Sequence, residues 1–186
     1  MTVEANSELV ERLRSGDREA VKETYEQYHG GILSLAEAML GRRDGAWDVL
    51  QDVFISFGRN ARGLAPDTDL RKYLLTAAAN RCRDALSRHR AVSLDCGPAN
   101  YSLSEAIAGA ESDPVTIASD KEEAAKLWEA LISLDDEQRG VIAMHIYGDM
   151  TFREISAREG ISENTAQSRY RYALQNIRRK LREVKK

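Results

Sequence analysis

Residues 160–182 read GISENTAQSRYRYALQNIRRKLR, and their side chains are of the types that recognise nucleic acid. Arginine grips guanine through two parallel N–H donors, Asn and Gln pair with adenine, and Ser or Thr hydroxyls bind phosphate. At helical spacing Ala166, Tyr170, Ala173, Leu174, Ile177 and Leu181 form an apolar stripe. Asn164, Thr165, Gln167, Ser168, Arg169 and Arg171 then face outward near the start of the helix, and NIRRKLR, with Arg178, continues as a phosphate-holding end. Gly160 permits the positive φ of a tight turn, Ile161 packs inward, and the Ser162 hydroxyl can accept a bond from an amide of the following helix. With FREISAREG in front, the segment has helix-turn-helix proportions. A second constellation is DVLQDVF, residues 48–54. Asp48, Gln51 and Asp52 fall at i, i+3 and i+4, so two carboxylates and an amide share one helix face while Val49, Leu50 and Val53 turn to the core.

No covalent chemistry is legible. Cys82 and Cys96 form no CxxC pair and have no histidine at ligand spacing. His29, His89 and His145 are scattered, without a nucleophile, base and orienting acid together. The chain is therefore read as no enzyme, with neither metal nor cofactor.

Net charge hides the organisation. The 186-residue chain carries a formal −3, yet residues 61–90 hold seven basic against three acidic residues and residues 151–186 hold ten against four. Between them, 91–126 hold two basic against seven acidic. Two basic blocks with an acidic joint suggest a bipartite nucleic-acid binder. A hydrophobic fraction of 42% and a charged fraction of 31% fit a core-forming soluble chain. No apolar run is long enough for a membrane span and the start lacks the plan of a signal peptide, so a cytoplasmic protein without membrane insertion is expected.

The elements that position these groups are all helical: apolar residues recur with the helical period and almost nothing alternates with a period of two. Leu9, Val10 and Leu13 suggest a first helix ending at Ser15–Gly16. Asp17 caps a second, through Met39, which Gly30–Gly31 can bend. Trp47, Leu50, Val53, Phe54 and Phe57 mark a third. After the loop GRNARGLAPDTD, a fourth runs from about Leu70 to Arg90, with Leu74, Leu75, Ala78, Cys82 and Leu86 inside. Residues 91–119, small, polar and without periodicity, read as a linker with at most one short helical turn. Helical pattern returns at about Asp120, and Asp135 or Asp136 caps the next helix, EQRGVIAMHIYG. The expected fold is all-α, with two small helical domains, 1–90 and 120–186, joined by a flexible acidic linker.

So arranged, the sequence resembles the extracytoplasmic-function sigma factors, the two-domain initiation subunits of bacterial RNA polymerase. LVERLRSGDREAVKETYEQYHGGILSLAEAML resembles the family's opening helices and DVLQDVF its signature for docking on the polymerase clamp. DTDLRKYLLTAAANRCRDALSRHR resembles the helix that opens the downstream (−10) element, and LISLDDEQRG through the C-terminal helix resembles the module that reads the upstream (−35) element. The resemblance implies core-polymerase contacts at Asp48, Gln51, Asp52 and Phe54 on the β′ clamp. It implies downstream-element contacts at Arg62, Arg71, Lys72, Tyr73, Asn80, Arg81, Arg83 and Arg88, where cations hold backbone and aromatic or amide groups take flipped bases. The upstream element falls to Asn164, Thr165, Gln167, Ser168, Arg169, Arg171 and Arg178. Many relatives have Trp at Tyr73 and Gly-Thr-Val-Lys where this chain has Asn164-Thr165-Ala166-Gln167, so no promoter sequence carries over. An anti-sigma partner is implied as well. The other reading of the residues is a dimeric helix-turn-helix regulator, with DVLQDVF as its dimer face.

Overall fold

The computed structural model describes residues 3–92 and 114–183. Among these residues the secondary structure is helical, with no strand. The first half contains α1 (Val3–Ser15), α2 (Arg18–Leu40), α3 (Arg43–Asn60), a 3-10 turn (Ala61–Gly63) and α4 (Leu70–Val92). The second contains α5 (Pro114–Ile132), α6 (Asp136–Ile146), α7 (Phe152–Glu159) and α8 (Glu163–Glu183).

Local signals explain where the helices start and stop. The Asp17 carboxylate accepts the amide of Glu19 and caps α2, and Arg12 holds that carboxylate 2.9 Å away, lowering its pKa. Asp135, rather than Asp136, caps α6 by accepting the Gln138 amide at 2.7 Å. Thr151 and Glu154 form a reciprocal capping box at the start of α7. α2 is unbroken across Gly30–Gly31, so the expected bend does not interrupt it. Gly31 instead lies close to α4: a side chain there would begin 4.0 Å from Leu75 Cδ2. Helix α5 begins at Pro114, earlier than the expected Asp120. Proline is tolerated at a first helical position, where its missing N–H would have no partner anyway. Most of the expected linker, with Cys96, lies outside the described residues.

In the first half, α2, α3 and α4 pack against one another, and α1 closes over α2 and the 3-10 turn. Leu13, Ile32, Leu35, Val53, Phe57, Leu70 and Leu74 are almost fully buried there. In the second half, α8 packs across α5, α6 and α7, burying Val141, Ile142, Met144, Ile155, Ala166 and Ala173. The halves are not separate: α2 packs on α6, and all these residues belong to one continuous core.

Arg139, only 7% exposed, secures that junction. Its Nε donates to the Met39 carbonyl at 3.1 Å, its Nη1 to the Leu134 carbonyl at 3.0 Å, and its Nη2 to Asp136 at 2.5 Å. Gly41 ends α2 in the left-handed region at φ 69°, and a side chain there would begin 3.7 Å from the Arg139 guanidinium. The left-handed conformation favours glycine there, while a side chain would meet the guanidinium only at ordinary contact distance. Replacing Arg139 by Ala removes a charged donor from buried carbonyls, each worth about 1–3 kcal/mol when left unpaired. Arg139→Ala should therefore lower unfolding stability by about 3 kcal/mol in denaturant titrations, whereas a surface change such as Glu8→Ala should stay within about 0.5 kcal/mol.

Candidate nucleic-acid and polymerase interface

The face expected from DVLQDVF is present. On α3, Asp48, Gln51 and Asp52 are exposed while Val49, Leu50 and Val53 are buried. Two apolar neighbours enlarge it: Trp47 is 46% exposed and Ile55 47% exposed. Trp47, which helped mark this helix, stands one turn before Gln51, and Ile55 one turn after, on the same outer stripe. Spacing 47, 51, 55 was the available signal, and the apolar character of Trp and Ile masked it. Phe54 behaves otherwise. It is half-buried, its ring meeting Tyr25 edge-on at 4.9 Å and Phe57 at 6.0 Å, so it braces α3 on α2 from the margin of the face.

The C-terminal helix is positioned as its spacing predicts. Gly160 adopts φ 66° and closes α7, Ile161 packs on the core, and the Ser162 hydroxyl accepts the Thr165 amide at 3.0 Å. Asn164, Thr165, Gln167, Arg171 and Arg178 are exposed on α8, while Ser168 and Arg169 are half-buried. Arg169 is engaged by Glu137 of α6 at 2.5 Å. Tyr170 packs inward, edge-on to His145 and Phe152 at 4.9 and 5.4 Å. Arg171 lies over the Tyr172 ring, 5.5 Å from its centroid. Gln175, Arg178, Arg179 and Arg182 line a shallow basic hollow farther along the helix, a cationic surface suited to a phosphate backbone.

The residues expected to face the downstream element divide into two groups. Arg81 and Arg88 are exposed on α4. Arg62 lies over the backbone of Gly16, its Nη2 2.7 Å from where a side chain there would begin, and Tyr73 is half-buried at 6.2 Å from the Phe57 ring. The other four meet the second half of the chain. Arg71 Nη1 reaches Asp149 at 2.9 Å, and Lys72 pairs with Glu154. Arg158 Nη1 donates to Asn80 Oδ1 at 2.6 Å and to the Thr76 carbonyl at 3.0 Å, and Arg83 Nη1 donates to the Arg158 carbonyl at 2.5 Å. Periodicity could not foresee these pairs, which join residues 75 or more positions apart in sequence.

Among the described residues no group of His, Cys, Asp and Glu could hold a metal ion, and no helix is long and apolar enough to cross a membrane. Cys82 is buried in the first core, and burial pushes its thiol up to about 12, which leaves it an unreactive packing residue.

Comparison with known proteins agrees with this architecture. The sequence model of Sigma-70 region 2 matches residues 24–92 and that of Sigma-70 region 4 matches residues 130–179. The RNA polymerase sigma factor CarQ of Myxococcus xanthus is 27% identical over 94% of this chain and 97% of its own length. The ECF RNA polymerase sigma factor SigK of Mycobacterium tuberculosis is 28% identical over 91% of this chain and 90% of its own. Two solved structures share the fold. CnrH in complex with the cytosolic domain of CnrY has a TM-score of 0.62 at 22% identity, covering 96% of this chain and 98% of that one. RpoE of Bartonella quintana, bound to the anti-sigma factor NepR, has a TM-score of 0.65 at 19% identity, covering 87% and 96%. The chain belongs to the sigma-70 family and is of the extracytoplasmic-function type. It is a factor of promoter recognition and transcription initiation, with core RNA polymerase and promoter DNA as its partners.

The Lys72–Glu154 pair has a direct electrostatic signature. The Lys72 ammonium, with the Thr151 amide and hydroxyl, holds the Glu154 carboxyl at about 2. A depressed carboxyl contributes stability that is present above its ordinary pKa of about 4.3 and is lost as pH falls through the depressed value. Carbon-detected NMR titration should place the Glu154 midpoint near 2. Lys72→Met should move it up toward the ordinary range; an unchanged midpoint would mean that the capping bonds alone hold it down.

Proposed function

We propose that the outer face of α3 docks this sigma factor on the clamp of core RNA polymerase, and that α4 and α8 then take the downstream and upstream promoter elements. On this reading residues 1–90 form the docking and melting domain, 91–119 the linker, and 120–186 the upstream-reading domain. The observation that carries it is the division of labour along α3. Asp48, Gln51 and Asp52 stand exposed on a helix whose Val49, Leu50 and Val53 are buried, so the carboxylates are held out by a rigid element. Carboxylates repel phosphate and suit a protein partner instead. Trp47 and Ile55 on the same face supply apolar area of the kind that anchors interfaces.

DNA contact falls to groups of the opposite sign. On α8, Asn164, Gln167 and Arg171 occupy the exposed start of the helix, and Arg178 with its neighbours can track the backbone. On α4, Arg81 and Arg88 are exposed already, and Arg71, Lys72, Asn80 and Arg83 become available when the halves part. Tyr73 packs against Phe57, so base stacking there requires the ring to turn outward. The factor melts DNA by binding and carries out no covalent step of its own, working in the cytoplasm. Its inhibitor is an anti-sigma protein; the two structural relatives, CnrH and the Bartonella RpoE, were each solved with a bound partner.

Reconstituted transcription tests the assignment. Purified core polymerase with the wild-type chain should initiate at discrete sites on genomic templates. The variant Asp48→Ala/Gln51→Ala/Asp52→Ala should fold normally yet lose about tenfold or more in core affinity, each lost interface anchor being worth about 1 kcal/mol or more. Full co-purification of this variant with polymerase would remove α3 as the docking face. Gln167→Ala/Arg171→Ala should retain core binding and lose initiation from promoters that depend on the upstream element.

A further inference from the structure

Helix α4 is preceded by residues 64–69, which belong to no helix, and backbone without helical bonds must find its partners elsewhere. Part of the set is local. Thr68 turns back on Ala65, its amide and its hydroxyl both donating to the Ala65 carbonyl, at 3.1 and 2.7 Å. Asp69 Oδ1 then accepts the Lys72 amide at 3.0 Å, as a cap does. The rest comes from α1, 62 and 64 positions earlier in sequence. Asn6 Nδ2 donates to the Thr68 carbonyl at 2.8 Å, and Asn6 Oδ1 accepts the Leu70 amide at 3.3 Å. Asparagine suits the position: its side chain offers a donor and an acceptor together, and they meet backbone groups that a loop and the first turn of a helix leave unpaired.

The other end of α1 meets the other end of the same segment. Gly16 follows α1 directly at φ 85°, and the Arg62 guanidinium lies against it, Nη2 standing 2.7 Å from where a side chain would begin. From Asn6 to Gly16 the helix rises about 15 Å, so α1 spans residues 62–70 as a splint touching them at two places. The splint is itself firmly seated. Leu9, Val10 and Leu13 are buried, and Arg12 reaches Asp17 and Glu23 at 2.9 and 2.7 Å. Leu64 and Leu70 are buried at the margins of the loop, while Ala65, Pro66, Asp67 and Asp69 are exposed between them. Base capture needs such bracing. A base taken out of its stack is held by groups in fixed places, and loops hold such groups less precisely than helices do. Order present before binding is order that binding need not supply.

We propose that α1 positions the part of the first half that takes the downstream element, with Asn6, through its bonds to Thr68 and Leu70, as the positioning residue that sets residues 64–69 and the first turn of α4 for base capture. This role rests on the reading of α4 as the helix that takes that element. Arg71, Lys72 and Tyr73 follow the tied Leu70 amide directly, so a shift there carries all three.

Base selection by the holoenzyme tests the role. Core polymerase with the full chain is offered a pool of single-stranded oligodeoxynucleotides of about 12 nucleotides with randomised bases, and the retained strands are sequenced. Wild type should enrich particular bases at adjacent positions. Asn6→Ala should lower that enrichment about tenfold as its two bonds are lost. Its core affinity and the total DNA retained should stay within about twofold of wild type, because phosphate contacts elsewhere dominate affinity. Asn6→Asp, which keeps the acceptor for Leu70 and loses the donor to Thr68, should lie between, and Glu8→Ala, exposed on the same helix, should match wild type. Enrichment by Asn6→Ala as strong as that of wild type would overturn the role. So would an equal fall in core affinity, total DNA and enrichment, the mark of a residue that only supports the fold. A wild-type holoenzyme that enriches no base would instead overturn the reading of α4, and the positioning role with it.

Discussion

The outer stripe of α4 carries Arg71, Lys72 and Arg83, and a cationic surface of that density is stable only beside anions or water. In the structure Arg71 and Lys72 meet the carboxylates of Asp149 and Glu154, and Arg83 the carbonyl of Arg158. On promoter DNA their partners would be phosphates. On the proposed reading the side chains that α4 offers to DNA also help fasten the second half onto the first, beside the α2–α6 packing and the Arg139 contact with Met39. The opposite face of α4 settles the other requirement. Leu70, Leu74, Leu75, Ala78 and Cys82 are buried there, so the helix is held in position whatever its outer face meets.

The α3 face works by the same division. Its inner residues pin the helix against α2 and α4, and its outer residues lie flat on a rigid backbone, which limits the conformational entropy that docking must overcome. Phe54 links the two faces. Its ring contacts with Tyr25 and Phe57 fix the margin of the surface on which Trp47, Gln51 and Ile55 stand. On the proposed reading this face shares no residue with the α4 and α8 groups offered to DNA, so polymerase and promoter can be engaged together.

Much of this was legible in the sequence, for local reasons. The caps at Asp17 and Ser162, the turn at Gly160 and the buried stripe of α8 are properties of a few adjacent residues, and periodicity with capping chemistry revealed them. The early start of α5 at Pro114 was hidden by weak periodicity beyond the proline. Trp47 and Ile55 were missed as part of the α3 face because their apolar character set them apart from Asp48, Gln51 and Asp52, although their spacing to Gln51 puts them on that stripe. The pairing of α4 with α7 was illegible. It depends on which distant helices meet, and a lysine free for DNA has the same one-letter code as a lysine held by a glutamate, as Lys72 is by Glu154.

Hydrogen–deuterium exchange on the full chain, alone and bound to core RNA polymerase, reads both faces at once. The account predicts that core binding protects residues 47–55 of α3 while residues 71–83 of α4 and 152–159 of α7 exchange faster as the halves part. Protection that stays unchanged along α3, with α4 and α7 equally protected in both states, would contradict it.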